Sequence, residues 1–572
     1  SLHLRPSSGH QAPMASLHRL YKSRRNAASA SFLLLALVLC LSLRTRHGGA
    51  FFFRSDAGAR ERGSCEAELR ALDGHAARCS YLRSSSHPPC APTGYIDYLT
   101  LFYCTRWSPW LGGAAIALWL LLLFYLLGDT ASEYFCASLE GLSAALRLPP
   151  AVAGVTLLSL GNGAPDVLSS VVAFASDGGE AGDVGLSGAL GGALFVSTVV
   201  AGVVAIVAAR RGGAVIERRG FVRDVCFLLV ALCYLLAVLV TGTVTVWAAA
   251  CFLSLYAAYV LLVSTSHCCS VAADDIDSTT STSTKPSDDL AAPLLLPVAV
   301  SSNSKQTPRT FARGLLLAAF HAPLYLPRRL TIPDIAGHRW SRPCAIASAL
   351  FSPLLLAAVT SPTRPTTVLL AGALTGTLLA IAAAATTDAA APPHGRYARL
   401  PWLTGGFLMS ILWSYLLARE LVALLVSAGI IIGVPASVLG VTVLAWGNSL
   451  GDMVADVAMA TQDGASGAQT AVAGCYAGPA FNTVVGLGLS MALAAGARYP
   501  EPYEIPVDAS TYVTVAFLVT GLAWALVALP ARGMRLDATL GAGLVAVYLC
   551  FLAVRVADAV GVLSLDSLLP RR

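Results

Sequence analysis

The sequence is dominated by long apolar runs nearly free of charge, at about 110–127, 150–175, 184–209, 221–241, 244–265, 344–361, 366–386, 402–426, 435–460, 469–494, 511–529 and 537–557. Most approach the ~20 residues that a helix needs to cross the hydrocarbon of a bilayer. Inside lipid every backbone N–H and C=O must be paired within the protein, and the runs lack the alternation of a barrel strand, so they read as helices. Composition agrees, with 56% of the 572 residues hydrophobic and 12% charged, against about a quarter charged in a soluble domain. The chain is therefore expected to be an all-α integral membrane protein embedded in the lipid bilayer. It has twelve spans, or thirteen if the shorter run Phe32–Leu43 is kept.

Polar residues organise these spans. Arg19, Lys22, Arg24 and Arg25 precede Phe32–Leu43, so residues 1–43 read as a signal peptide or short signal anchor, with Met14 a candidate start. Residues 44–109 would then be exocytoplasmic. They hold Cys65, Cys79, Cys90 and Cys104, which could form two disulfides in an oxidising compartment, with free thiols or a metal clip as the alternatives. Threading from a cytosolic N-terminus puts Arg210, Arg211, Arg218, Arg219 and Arg223 inside, together with Arg309, Arg313, Arg328, Arg329, Arg339, Arg342, Arg396, Arg399, Arg532 and Arg535. The acidic loop Ser176–Asp183 falls outside, as the positive-inside rule expects. The net charge of +6 is scattered in short clusters and carries no nucleic-acid signature. The hydrophilic stretch 266–343 is expected to be a cytosolic loop. Its segment DDIDSTTSTSTKPSDD has the composition of a disordered linker, either a tether or a regulatory, phosphorylated loop. Helices within 344–400 would link the halves, and 558–572 would form a C-terminal tail.

A shift of 286 positions aligns the two halves without a gap over two spans. Pro149, Val152, Gly154, Val155, Thr156, Leu158, Gly161, Asn162 and Asp166 fall on Pro435, Val438, Gly440, Val441, Thr442, Leu444, Gly447, Asn448 and Asp452, and Gly188, Gly192 and Phe195 fall on Gly474, Gly478 and Phe481. Seven crossings separate the two motif helices, so they run in opposite directions. That is the inverted-topology repeat of many secondary transporters, whose site lies near the midplane. The repeat units would be five helices each, at 110–265 and 402–557.

Carboxylates inside a membrane are costly, and are functional by default. Asn162 and Asp166 are one helical turn apart on one face, as are Asn448 and Asp452. Facing each other, they present two carboxylates and two amide oxygens, the hard donors that Ca²⁺ takes six to eight of. Pro165 removes the hydrogen-bond partner of the Gly161 carbonyl, and Gly161 and Gly447 are expected to loosen their turns and offer carbonyls to the ion. Thr156, Thr442 and Ser449 could add hydroxyls. Asn482 would be a further ligand, and at the same shift its counterpart is Val196, so the site need not be symmetric. Asp456 could contact the ion or line a vestibule, while Arg419 and Glu420 could pair locally.

At these residues the chain resembles the cation/Ca²⁺ antiporter superfamily, and within it the cation/calcium exchanger branch of plants, which is similar to the animal mitochondrial sodium/calcium exchanger. The resemblance runs through CSYLRSSSHPPC…GYIDYL…FYC at 79–104, GNGAPD at 161–166, PWLTGGFLMS at 401–410, GNSLGD at 447–452 and GCYAGPAFNTVVGLG at 474–488. It implies an inverted-repeat exchanger core of five plus five helices, alternating access, and acidic site residues at Asp166 and Asp452. Other branches carry Glu in the first motif and Ser or Thr where this chain has Asn162 and Asn448. Potassium-coupled branches carry Asp where this chain has Asn482, and Asn there argues against obligatory K⁺ co-transport.

The expected function is secondary active antiport of Ca²⁺ against monovalent cations, Na⁺ or K⁺, with no cofactor and inorganic cations as substrates. Protonation would neutralise the same carboxylates, so cation/H⁺ exchange is the alternative. An intramembrane aspartyl protease would need a Gly-x-Gly-Asp turn where Ser449 stands, and has no use for an Asn one turn before each Asp. A channel would not explain an inverted duplication. Because the basic N-terminus runs straight into an apolar run, plasma membrane or endomembrane is expected rather than mitochondrion.

Overall fold

The computed structural model describes residues 68–69, 71–84, 94–105, 108–146, 159–175, 179–277, 325–336, 339–360, 365–389, 391–393, 395–461, 465–505 and 508–563. Helices α1 (His75–Arg83) and α2 (Tyr98–Cys104) precede α3 (Pro109–Thr130), which continues through a π-helical turn, Ala131–Cys136, into α4 (Ala137–Leu146). Then come α5 (Ser159–Ala175), α6 (Gly179–Phe195), a π turn at Val196–Val200, α7 (Ala201–Arg210), α8 (Arg218–Thr241), β1 (Thr243–Val244) and α9 (Val246–Asp277). Helices α10 (Arg342–Thr360) and α11 (Pro365–Thr386) form a hairpin ahead of α12 (Arg396–Ile432). The second half runs α13 (Ala436–Leu439), a π turn at Gly440–Leu444, α14 (Ala445–Ala460), α15 (Ala465–Phe481), a π turn at Asn482–Leu487 and α16 (Gly488–Arg498). It ends with β2 (Tyr503–Glu504), α17 (Ala509–Ala531) and α18 (Ala538–Ala559). Among the described residues eleven helical stretches are long and apolar enough to span a membrane, and α5 adds a shorter apolar helix. The expected run at Phe32–Leu43 lies outside the described residues, as do Cys65, Cys90, Thr156, Arg309, Arg313 and most of the 266–343 stretch.

The inverted repeat is visible in the backbone. The shift that aligns the motifs also carries both ends of α6 onto the ends of α15, and each helix runs directly into a π turn. Two small antiparallel ties fix the direction of each half. The α8–α9 loop pairs with the α16–α17 loop, Thr243 opposite Glu504 and Val244 opposite Tyr503. The α7–α8 loop pairs with the α17–α18 loop through Val215 and Arg535, with Ile216 N–H donating to Met534 O at 2.8 Å and Leu536 N–H to Ala214 O at 2.9 Å. So α8 starts at the end of the bundle where α17 finishes, and finishes where α17 starts. These counterparts point in opposite directions, as the odd number of crossings requires.

Packing exchanges partners between the halves. α8 lies on α15 and α17 on α6, α7 lies on α18 and α16 on α9, and α5 contacts α15 as α14 contacts α6. Helices gain little from hydrophobic association inside lipid, so close backbone approach has to carry these contacts. At the α7–α18 crossing a side chain on Gly202 would lie 2.9 Å from the Gly541 carbonyl. Gly488, its counterpart at the repeat shift, has the matching role in α16, where a side chain would meet Leu253 of α9 at 2.9 Å.

Two expectations change. Helix α9 continues to Asp277, past the expected start of the linker at 266. The arginines before α10 are also more than loop charges. Arg328 is buried, pairs with Asp129 at 2.7 Å and donates to the Thr130 hydroxyl at 2.9 Å, while Arg329 and Arg339 both reach Asp334 at 2.8 Å. Arg339 also pairs with Glu133.

Candidate cation site

The two motifs meet in the middle of the bundle, where α5 and α14 cross with α6, α15 and the Asn482–Leu487 turn packed around them. Asp166, on α5, is buried at 6% exposure. Its Oδ2 accepts from the Asn482 Nδ2 at 2.6 Å, and the Asn448 amide of α14 lies beside the same carboxylate. Asn448 also donates to Ser169 Oγ at 3.4 Å. The Asp452 carboxylate is close enough to feel the Asp166 charge and is half-buried. Added side chains on Gly451 and Gly478 would meet nothing within 4 Å.

Glycines let the elements converge. A side chain on Gly163 would overlap Asn482 Oδ1 and crowd the Phe481 ring at 2.8 Å, so Gly163 is what admits the amide to Asp166. A Cβ on Gly192 would lie 3.6 Å from Ser449 Oγ and 3.8 and 4.0 Å from the two Asp166 oxygens. Oxygens from α5 and α14 therefore surround one point on the α6 backbone. Gly440, Gly191 and Gly188 supply the close packing behind it, against Val184, Val441 and Leu444 respectively.

The surroundings of this point are short of hydrogen-bond donors. Asn448 Oδ1, Ser449 Oγ, Asn482 Oδ1 and Thr483 Oγ1 are buried and have no hydrogen-bond partner. Ser449 and Thr483 are fully enclosed and Asn482 is 6% exposed. Unpaired buried oxygens are costly, and four of them, on the helix that holds Asp452 and on the turn whose Asn482 bonds Asp166, are suited to a hard cation. All four belong to the second repeat, two on α14 and two on the π turn after α15. In the first repeat the counterpart turn gives no such oxygens, because Ser197 donates to Ala193 O at 2.7 Å and Thr198 to Leu194 O.

Of the ten residues singled out in the sequence, Asp166, Asn448, Ser449, Asp452 and Asn482 gather here. Asn162 and Gly161 lie on α5, with their surroundings outside the described residues, and Thr156 is outside altogether. Thr442 donates its hydroxyl to Val438 O at 2.6 Å on its own helix. The expectation that Gly447 loosens its helix is not met. α14 is continuous from Ala445 to Ala460, and Gly447 instead makes room for the Phe124 ring of α3. α5 likewise runs unbroken through Pro165. The local distortions are π turns, which recur at functional sites, and one of them falls on Gly440–Leu444 just ahead of α14. Sequence reading missed Thr483 and the site-lining position of Gly192. The first follows Asn482 directly, and the second is one of the repeat-matched glycines, so the offset could have found both.

Two further carboxylates have partners of their own. Asp456 is 3% exposed, accepts from Cys475 Sγ at 3.5 Å and lies against Gly474. Glu420 takes the Tyr95 N–H and the Tyr98 hydroxyl, the latter at 2.7 Å.

Comparison with known proteins shows the family. The family model for sodium/calcium exchanger proteins matches residues 116–265 and 402–557, the two repeat units. The chain is 46% identical to cation/calcium exchanger 1 of Arabidopsis thaliana, over 88% of this chain and 90% of that protein. It is 31% identical to the human mitochondrial sodium/calcium exchanger protein, over 86% and 89%. Among solved structures it is similar to the H⁺/Ca²⁺ exchanger CAX, with 12% identity and a TM-score of 0.42 over 78% of this chain and 84% of that one.

Proposed function

The chain belongs to the sodium/calcium exchanger family, and we propose that it exchanges Ca²⁺ for a monovalent cation, Na⁺ or K⁺, at the site between α5 and α14. It is a multi-pass membrane transporter of cations rather than an enzyme. Asp166 and Asp452 provide the charge that one divalent or two monovalent cations neutralise, and Asn448, Ser449, Asn482 and Thr483 provide neutral oxygens. Asn162 completes the first-repeat contribution, by its match to Asn448. With no cation bound, the two carboxylates make the crossing between inward- and outward-open states unfavourable, so the protein exchanges ions rather than leaking them. The observation that carries this reading is the set of four buried, unpartnered oxygens on the elements around the Asp166 carboxylate.

The face bearing the α7–α8 and α17–α18 ties, rich in arginine, is cytosolic on this reading, and the face bearing α1 and α2 is exocytoplasmic. The disulfide joining Cys79 and Cys104 supports an oxidising compartment there, and with it the plasma membrane or an endomembrane. Cation/H⁺ exchange is a second reading, favoured by Asp456, a buried carboxylate whose hydrogen-bond partner is a thiol and which a proton could serve. Ca²⁺ flux in reconstituted vesicles under separately imposed Na⁺, K⁺ and H⁺ gradients distinguishes the two. The expected result is flux driven by Na⁺ or K⁺ and lost in Asp166→Asn and in Asp452→Asn. Normal coupled flux in both variants would sink the site assignment.

A further inference from the structure

Glu420 is a carboxylate in the middle of a 35-residue membrane span, Ala398–Ile432, 8% exposed and away from the cation site. A buried charge in that setting needs strong partners, and its partners come from the other half of the chain, ahead of α3. The Tyr95 N–H donates to Oε1, and the Tyr98 hydroxyl donates to Oε2 at 2.7 Å while accepting from Trp119 Nε1 of α3 at 3.0 Å. One hydrogen-bond chain therefore joins α3, α2 and α12. The Arg419 guanidinium stacks 4.8 Å over the Tyr95 ring. Gly94 lets the backbone approach, because a Cβ there would already lie 3.0 Å from Ala423 and 3.2 Å from the Glu420 carboxylate.

The segment that makes these contacts is closed on itself. The Cys79–Cys104 disulfide ties α1 to the end of α2, and Arg78 Nη1 donates to the Tyr103 hydroxyl at 3.2 Å. Tyr98, Leu99 and Tyr103 are buried in one apolar cluster with Leu123, Leu126 and Leu127 of α3 and Leu417, Leu421 and Leu424 of α12. That cluster also takes in Val184 of α6 and Leu444 of the turn preceding α14. Burial, then the Glu420 carboxylate, hold the Tyr98 phenol well above its ordinary range, so it remains a donor.

The strap therefore lies across α3 and α12, the helices flanking the motif pair. α12 packs along α5 through Ala418 and Val422 against Val172 and Ala173, and α3 meets α14 where Phe124 fills the space at Gly447. We propose that Glu420 is a positioning residue for exchange: it seats the disulfide-closed strap of α1 and α2 across α3 and α12, and this seating sets cation access from the strap's face of the membrane. The proposal rests on the exchange function proposed above for the kinetic part of its test only.

The kinetic test uses the purified full chain in proteoliposomes, with Ca²⁺ supplied from one face at a time. In Glu420→Gln and Tyr98→Phe the apparent KM for Ca²⁺ presented at the strap face should change by about tenfold or more, the weight of one charge-assisted hydrogen bond. KM from the arginine-rich face and the maximal rate per folded transporter should stay nearly constant. Cys79→Ser combined with Cys104→Ser, or a membrane-impermeant reductant on the wild type, should give the same one-sided change, which keeps the test alive if a variant fails to fold. Parallel shifts at both faces, or none, would overturn the proposal. A second readout needs no transport. Spin labels at exposed Leu111 of α3 and Ile432 of α12 should report a narrow distance distribution that broadens in Glu420→Gln. An unchanged distribution would overturn the strap, whereas this broadening in Glu420→Gln together with a wild type that exchanges no Ca²⁺ would count against the proposed function alone.

Discussion

Neighbouring glycines on α6 should separate function from stability. At Gly192 an added methyl would sit 3.6 Å from Ser449 Oγ and 3.8 and 4.0 Å from the Asp166 oxygens, all ordinary contacts. Gly192→Ala should therefore fold at least as well as the wild type, gaining up to about 1 kcal/mol from helix propensity. The same methyl occupies the point on which those oxygens converge, where a cation bound at about 2.4 Å from each would need the space. Ca²⁺ affinity should fall by roughly 10- to 100-fold, equal to about 1.4–2.8 kcal/mol. At Gly191, one residue away, a Cβ would lie 2.7 Å from the Val441 carbonyl and 2.8 Å from its Cα, both backbone atoms that cannot swing aside. Gly191→Ala should cost about 1–3 kcal/mol of stability through overpacking. Thermal unfolding of the purified proteins, with and without Ca²⁺, reads both quantities. Wild-type Ca²⁺ stabilisation in Gly192→Ala, or an unperturbed melting temperature in Gly191→Ala, would refute the placement of α6 against the motif helices.

Other outcomes follow from single contacts. Arg328→Ala leaves the partly exposed Asp129 without its 2.7 Å partner and should destabilise the protein by about 1–3 kcal/mol, the cost of losing a charge-assisted contact, seen as a lowered Tm. Asn482→Val makes the second repeat match Val196 and removes the 2.6 Å bond to Asp166. It should weaken Ca²⁺ binding about tenfold or more, measured as the Ca²⁺ concentration giving half-maximal flux. Asp537 caps α18 by accepting from Leu540 N–H at 2.8 Å, and Asp537→Ala should cost about 0.5–2 kcal/mol. Slight burial raises the Asp537 pKa, but the Thr539 hydroxyl, the Leu540 N–H and Arg532 together bring it below its ordinary value. Its contribution should thus be complete above about pH 3.9 and fade as pH falls through the depressed value, a slope absent from the Asp537→Ala melting curve.

The parts of this protein legible in the sequence are those set by short-range repetition. The offset that aligned Asn162 and Asp166 with Asn448 and Asp452 also carries the observed ends of α6 onto those of α15, because each repeat folds from the same local pattern, although the apolar runs alone placed these spans at 184–209 and 469–494. Asp166, Asn448, Ser449, Asp452 and Asn482 were recognisable because polar groups in a membrane helix have few other reasons to exist. What depended on distant partners was not legible. Gly447 looks like a helix breaker until Phe124, from a helix in the other half of the chain, occupies the space beside it. The contacts that Glu420 makes with Tyr95 and Tyr98 are not announced by its place beside Arg419 in the sequence. The π turn at Asn482–Leu487 has no composition that announces it, yet it leaves the Thr483 hydroxyl unpaired while Ser197, its counterpart, bonds back to its own helix.

The central claim is that one Ca²⁺ binds between the two motifs, held by a carboxylate from each. Isothermal titration of Ca²⁺ into the purified protein tests it directly, comparing wild type with Asp166→Asn, Asp452→Asn and the double variant. The account predicts one Ca²⁺ per chain in the wild type, loss of measurable binding in either single variant, and no further effect in the double. Binding that survives both substitutions, or losses that add independently, would contradict it.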